Sequence, residues 1–245
     1  MSVPSAADRR EELVSLYREL TAGHICPLAA TRTKLVFGMG NADADLMFVG
    51  EAPGAEEDRQ GKPFVGRAGK LLDTLLEEIG MRRDDTFVAN VLKCRPPGNR
   101  DPLPEEIEEC SPWLFRQVEL IEPLVICTLG NFATKLLTGS PTGITKIHGR
   151  PQAHELGGRS VQLYPLFHPA AALRAESVRE LLRADFARLP DLLERVRGEG
   201  APAPADEVPE LAPGLPKATP GGELAPQEAA HAPPADERPQ LDLFE

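Results

Sequence analysis

Glu51, Glu56, Glu57, Asp58, Phe64, Asn90 and His168 are the side chains of this sequence that could share a polar pocket with one aromatic wall. A carboxylate orients water, an aromatic ring offers a face for stacking, an amide both donates and accepts, and an imidazole stabilises developing negative charge. The set suits hydrolysis at a planar, polar heterocycle. It suits phosphate binding less, because no Gly-Lys-Ser/Thr follows the neighbouring glycines. Taken singly, the residues have plainer explanations: Glu56, Glu57 and Asp58 as a solvated loop, and Asn90 as a strand-end turn residue.

What must position these groups is a strand, a stiff loop and a helix. The apolar run Leu46–Val49 leads into Gly50–Gly69, which holds five glycines and two prolines in twenty residues, and helical period resumes at Lys70–Ile79. Further strands are expected at Thr86–Leu92, Pro123–Leu129 and Val161–Phe167, and helices at Ser5–Ala22, Pro104–Ile121, Asn131–Leu137 and Glu176–Val196. Leu35–Gly40 reads as an irregular, glycine-containing approach to the first strand. Strands alternating with helices predict a three-layer α/β/α domain around a central four-stranded parallel sheet. Its functional loops belong at the strand C-termini, so Gly50–Gly69, Asn90–Asn99 and His168–Leu173 should meet at one edge.

The composition divides the chain. Of its 245 residues, 199–245 are rich in Pro, Ala and Glu, carry ten of the 25 prolines and show no hydrophobic period. Such a stretch buries too little apolar surface to offset its ordering entropy and reads as a disordered tail. It carries ten acidic and two basic side chains, so the overall net charge of −11 leaves only −3 on residues 1–198. The expected organisation is therefore a globular domain over 1–198, a linker over 199–239 and a terminal peptide at 240–244. No stretch approaches eighteen consecutive apolar residues, and the N-terminus has no hydrophobic signal core. The expectation is a cytoplasmic monomer without a membrane segment, whose four cysteines are core residues or metal ligands.

Five segments in order, Gly50-Glu-Ala-Pro-Gly54, Glu57-Asp58, Gly61–Gly69, Asn90-Val-Leu-Lys-Cys-Arg-Pro-Pro97 and His168-Pro-Ala-Ala-Ala-Leu173, closely resemble the family 4 uracil-DNA glycosylases, the iron–sulfur branch of their superfamily. The resemblance runs from about Cys26 to Leu193. It implies an enzyme that flips uracil out of DNA and hydrolyses its N-glycosidic bond, leaving an abasic site. Phe64 would stack on the base, Asn90 would bond its N3/O4 edge, and His168 would face O2. Glu51 would help place the attacking water, Gly50, Ala52 and Gly54 would close round the base, and the Pro169–Leu173 turn would wedge into the duplex. The best-known branch has an Asp one residue after the position of Glu51; here that residue is Ala52, so water activation by that Asp is absent.

The same resemblance implies a 4Fe-4S cluster. Cys94 and Cys110 match the family's last two ligands and Cys26 its second, while the first is replaced by Gly23. His24 is the candidate replacement, since imidazole substitutes for thiolate in some iron–sulfur centres, and His148 is a weaker one. Cys127, mid-strand, reads as a buried apolar residue. The cluster would be a structural staple, because the reaction moves no electrons.

The chain closes on Gln240-Leu-Asp-Leu-Phe244, which resembles the short peptide by which bacterial replication and repair proteins dock on the sliding clamp. Leu241, Leu243 and Phe244 would fill a pocket and Gln240 would fix the register, with the preceding tail as tether. Two other functions compete: a uracil-DNA binder that traps its product covalently through a histidine, and a non-catalytic DNA-binding protein. Against trapping, the basic, His-containing insertion of that branch is missing where Gly66 continues directly into the helix. Intact Phe64, Asn90 and His168 weigh against loss of catalysis.

Overall fold

The structure, a computed structural model, describes residues 5–23 and 26–199. The expected terminal peptide and all of the expected linker except Glu199 lie outside the described residues, as does His24.

Six strands make one sheet among the described residues: β1 (Met39–Gly40), β2 (Leu46–Gly50), β3 (Phe87–Asn90), β4 (Val125–Leu129), β5 (Gln152–Leu156) and β6 (Arg159–Leu166), in the order β1-β3-β2-β4-β6-β5. The expected four-stranded sheet is thus corrected to six strands. The four anticipated runs occupy the centre and pair in parallel, while β1 and β5 pair antiparallel at the two edges. Every residue of β2, β3 and β4 is buried, as continuous apolar strands covered on both faces require. The extra strands have local causes. Gly157 and Gly158, at φ 58° and 72°, supply the two positive-φ positions of a tight turn that folds β5 onto β6. β1 is two residues long, and Gly40 allows it against β3 because a Cβ there would strike the Thr86 carbonyl.

The helices are α1 (Ala6–Gly23), α2 (Ala55–Gln60), α3 (Arg67–Glu78), α4 (Pro104–Ile121), α5 (Asn131–Thr138), α6 (Ile144–Ile147), α7 (Pro169–Ala172), α8 (Glu176–Phe186) and α9 (Leu189–Glu199). Ser5 caps α1, its Oγ accepting from the Asp8 amide at 3.2 Å. The single helix expected over Glu176–Val196 is two, parted at Ala187–Arg188. Pro190 has no N–H to continue the ladder of α8 and instead sits in the first turn of α9.

Two apolar clusters cover the sheet. One joins Leu13, Leu16 and Leu20 of α1 with Leu114 and Val118 of α4, Leu137 of α5, and Met47, Val49, Phe87 and Ala89 of the strands. The other joins Leu72, Leu75 and Leu76 of α3 with Leu182 and Phe186 of α8, and Leu46, Phe48, Val88, Val125 and Cys127. Alternate strand residues thereby feed opposite layers, as pleating dictates. The parallel register pairs Gly50 with Asn90 at the ends of β2 and β3. Two residues after β6, His168 caps α7, so the three expected loops do meet beyond the strand C-termini.

Candidate active site

A cleft of about 580 Å³ opens at that edge, lined among others by Glu51, Ala52, Gly54, Phe64, Asn90 and His168. Asn90 is buried, and its Oδ1 has no hydrogen-bond partner. Beneath it, Gly50 leaves the room that the amide needs. A Cβ there would collide with Asn90 Oδ1 and stand 2.7 Å from Phe64 Cζ. Strand pairing continues past the site, with the Val91 amide donating to the Gly50 carbonyl and that of Leu92 to Glu51, so the wall carrying Asn90 and Glu51 is part of the sheet.

Phe64 holds a left-handed backbone, φ 51°, which costs a non-glycine residue about 1–3 kcal/mol unless its surroundings impose it. Here they do. The Arg83 guanidinium donates to the carbonyls of Pro63 at 2.6 Å and Phe64 at 3.1 Å while paired with Asp73. Glu57 Oε1 accepts the amides of Val65 and Gly66, each at 2.9 Å. Gly69 in α3 lets the helix pass against the loop, since a Cβ there would overlap the Phe64 carbonyl. The ring is thereby held 5.8 Å, centroid to centroid, from that of His168.

His168 Nδ1 accepts the Ala170 amide at 3.0 Å, which assigns the proton of the neutral ring to Nε2. Burial lowers the pKa to about 4, helped by the Arg174 charge and opposed by Glu57. At neutral pH the side chain is therefore an uncharged N–H donor. Gly130, at φ 91°, leaves space for it, as a Cβ there would lie 3.1 Å from His168 Cβ. The Glu51 carboxyl is raised above the usual carboxylate range, first by burial and then by repulsion from Asp101.

Two of the expected pocket carboxylates lie elsewhere. Glu56 is exposed and paired with Arg59, and the buried Asp58 accepts the Thr33 amide at 2.8 Å. For Glu56 the solvated-loop explanation is the right one; Glu57 lines the cleft but spends an oxygen on the loop. Pro96 and Asn99 line the cleft from the expected Asn90–Asn99 loop, and Arg100, Asp101 and Arg174 line it unanticipated. Arg174 directly follows the His168–Leu173 segment and was legible from that adjacency; Arg83 acts on Phe64 from nineteen residues away and left no local signal.

Cys26, Cys94 and Cys110 come from three separate segments and are all buried in the α1/α4 layer. Cys26 and Cys110 stand 3.9 Å apart, sulfur to sulfur, and Cys94 Sγ accepts from Arg32 at 3.1 Å. Contact with Cys26 and then burial push the Cys94 and Cys110 thiols well above the ordinary range. Cys127 belongs to the opposite layer and is buried, as its apolar reading required. His148 is also on that side, bonded to Asp185 at 2.7 Å and packed on Phe167, so it does not serve as a ligand with the three cysteines.

The uracil DNA glycosylase superfamily model matches residues 37–189. A type-4 uracil-DNA glycosylase of Archaeoglobus fulgidus is 45% identical over 186 residues, covering 74% of this chain and 94% of that protein. The type-4 enzyme of Thermotoga maritima is 44% identical over 190 residues, covering 76% and 97%. A type-5 uracil-DNA glycosylase of Pyrobaculum aerophilum is 30% identical, covering 59% and 72%.

The depressed pKa of His168 has a testable sign. Its native value lies below the 6.5 of an unperturbed imidazole, so its contribution to stability is present above pH 6.5 and is lost as pH falls from 6.5 toward 4. Proton NMR should give a His168 midpoint near 4, and His168→Gln should flatten the loss of stability over that window; a midpoint at or above 6.5 would contradict the neutral assignment. With strand ends, aromatic wall, amide and imidazole in one cleft and both comparisons in accord, the chain belongs to the uracil-DNA glycosylase superfamily, on its type-4 branch.

Proposed function

We propose that this protein excises uracil from DNA by hydrolysing its N-glycosidic bond. The observation that carries the reading is the buried, unpartnered Asn90 Oδ1 beside the Phe64 ring and the His168 imidazole. A buried acceptor with no partner is a place kept for a donor of the ligand. Uracil has one at N3, and its O4 accepts in turn from the Asn90 amide nitrogen. Cytosine has no N3 proton and presents a donor where uracil has O4, so the same amide rejects it.

Base extrusion costs a few kcal/mol and brings C1′ within reach of water. The C1′–N1 bond breaks with its electron pair going to the base, and the negative charge spreads to O2. His168, donating through Nε2–H, stabilises that charge without first giving up a proton. Water attacks C1′ on the opposite face, oriented by Glu51, and its proton leaves to the carboxylate or to solvent. Abasic DNA and free uracil are the products.

The three cysteines suit an iron–sulfur group: three soft sulfur donors share one buried layer, with Arg32 beside Cys94 and Lys93 beside Cys94 and Cys110 to offset thiolate charge. Cys26, Cys94 and Cys110 would hold a 4Fe-4S cluster, with His24 as the fourth ligand. When bound, the cluster supplies a cross-link between the segment after α1, the loop after β3 and α4. No helix among the described residues is long and apolar enough to cross a membrane. The clamp-docking role of Gln240–Phe244 and the monomeric state rest on sequence alone.

The test is cleavage of a uracil-containing oligonucleotide followed by alkali, with cytosine and thymine oligonucleotides as controls. Scission at uracil alone is expected, and Asn90→Ala and His168→Ala should each lower kcat by about a hundredfold or more; tight binding without scission would instead favour a binding module. Protein purified without oxygen should carry iron, which Cys94→Ala and Cys110→Ala each deplete with a lower Tm; iron content unchanged in both would exclude the cysteines as its ligands.

A further inference from the structure

Lys93 is fully buried, and apart from its place beside Cys94 and Cys110 nothing in the chemistry above uses its side chain. A polar group withdrawn from water is costly unless its donors are engaged. Its Nζ donates to the backbone carbonyl of Asn90 at 2.9 Å and to Gln117 Oε1 at 2.7 Å. Gln117 lies in α4, is itself buried, and donates through Nε2 to the Phe37 carbonyl at 2.9 Å. The Phe37 ring lies 6.0 Å from Nζ.

The arrangement closes a turn where one is needed. Asn90 is the last residue of β3, and the Lys93 side chain folds back three residues to hold its carbonyl. Through Gln117 that peptide is tied to a helix packed on the sheet. The amide that faces the cleft thus sits on a peptide held from below by the Lys93 side chain, itself anchored on Gln117.

We propose that Lys93 is a positioning residue: by clamping the Asn90 peptide to α4 through Gln117, it fixes the direction in which the Asn90 amide meets the base. The inference rests on the uracil reading of the cleft. It predicts a defect confined to base recognition, where a packing role alone would predict lower stability with unchanged affinity in the folded fraction.

Full-length wild type and Lys93→Met, which keeps the stem and removes the hydrogen-bonding head group, are compared for inhibition by free uracil, for affinity to uracil-free duplex DNA and for Tm. The expected result is an inhibition constant for uracil weakened by about tenfold, with affinity for uracil-free duplex unchanged. Gln117→Leu should weaken uracil in the same direction, and Gln117→Glu, which keeps the acceptor, should restore it. If Lys93→Met does not fold, the Gln117 pair decides. Wild type that does not cleave uracil-DNA would sink the underlying reading. Cleaving wild type with unchanged uracil inhibition in Lys93→Met, or in Gln117→Leu where the lysine variant does not fold, would overturn the role assigned to Lys93.

Discussion

A buried amide oxygen left without a hydrogen bond costs a folded protein about 1–3 kcal/mol, and the site is arranged around such an atom, Asn90 Oδ1. Its neighbours prevent an easier arrangement. Gly50 removes the side chain that would displace it, and Phe64 stands over the same glycine. Phe64 in turn is held in a left-handed backbone by Arg83 and by the Glu57 carboxylate that binds the loop. The cost is spread over a well-packed sheet, and the unmet acceptor is available to a ligand donor at no reorganisation.

The electrostatics follow the same economy. Glu51, Glu57 and Asp101 line the cleft, and one carboxylate is engaged by backbone amides while another is pushed toward its neutral form. His168, whose ring proton is assigned by the Ala170 amide and whose charge is suppressed by burial, offers a fixed neutral dipole. A donor of that kind can meet an anionic leaving group without being reoriented during the reaction.

Much of this was legible in the sequence because it depends on local chemistry. Apolar runs at Leu46 and Val125 and the Gly/Pro loop between Gly50 and Gly69 specify strands and a rigid crossing, so the meeting of Glu51, Asn90 and His168 followed from the rule for parallel sheets. The edge strands escaped notice because β1 is two residues long and β5 depends on the turn at Gly157-Gly158. Asp58 and Glu57 were indistinguishable in sequence, yet one binds Thr33 and the other the Phe64 loop. Arg83 and Lys93 act through side chains that reach another segment's carbonyls, and no period or motif records such reach. The cysteines behaved differently again: sequence paired Cys26 with Cys94 and Cys110 through a resemblance, and packing places the three in one layer.

The most direct measurement of the central claim compares uracil with 3-methyluracil as inhibitors of the full-length protein acting on uracil-containing DNA. If Asn90 Oδ1 receives the N3 proton, methylation at N3 both removes the donor and crowds the buried amide, and inhibition should be lost. Equal inhibition by the two bases would show that the unpartnered oxygen is not where the base is read, and would contradict the account.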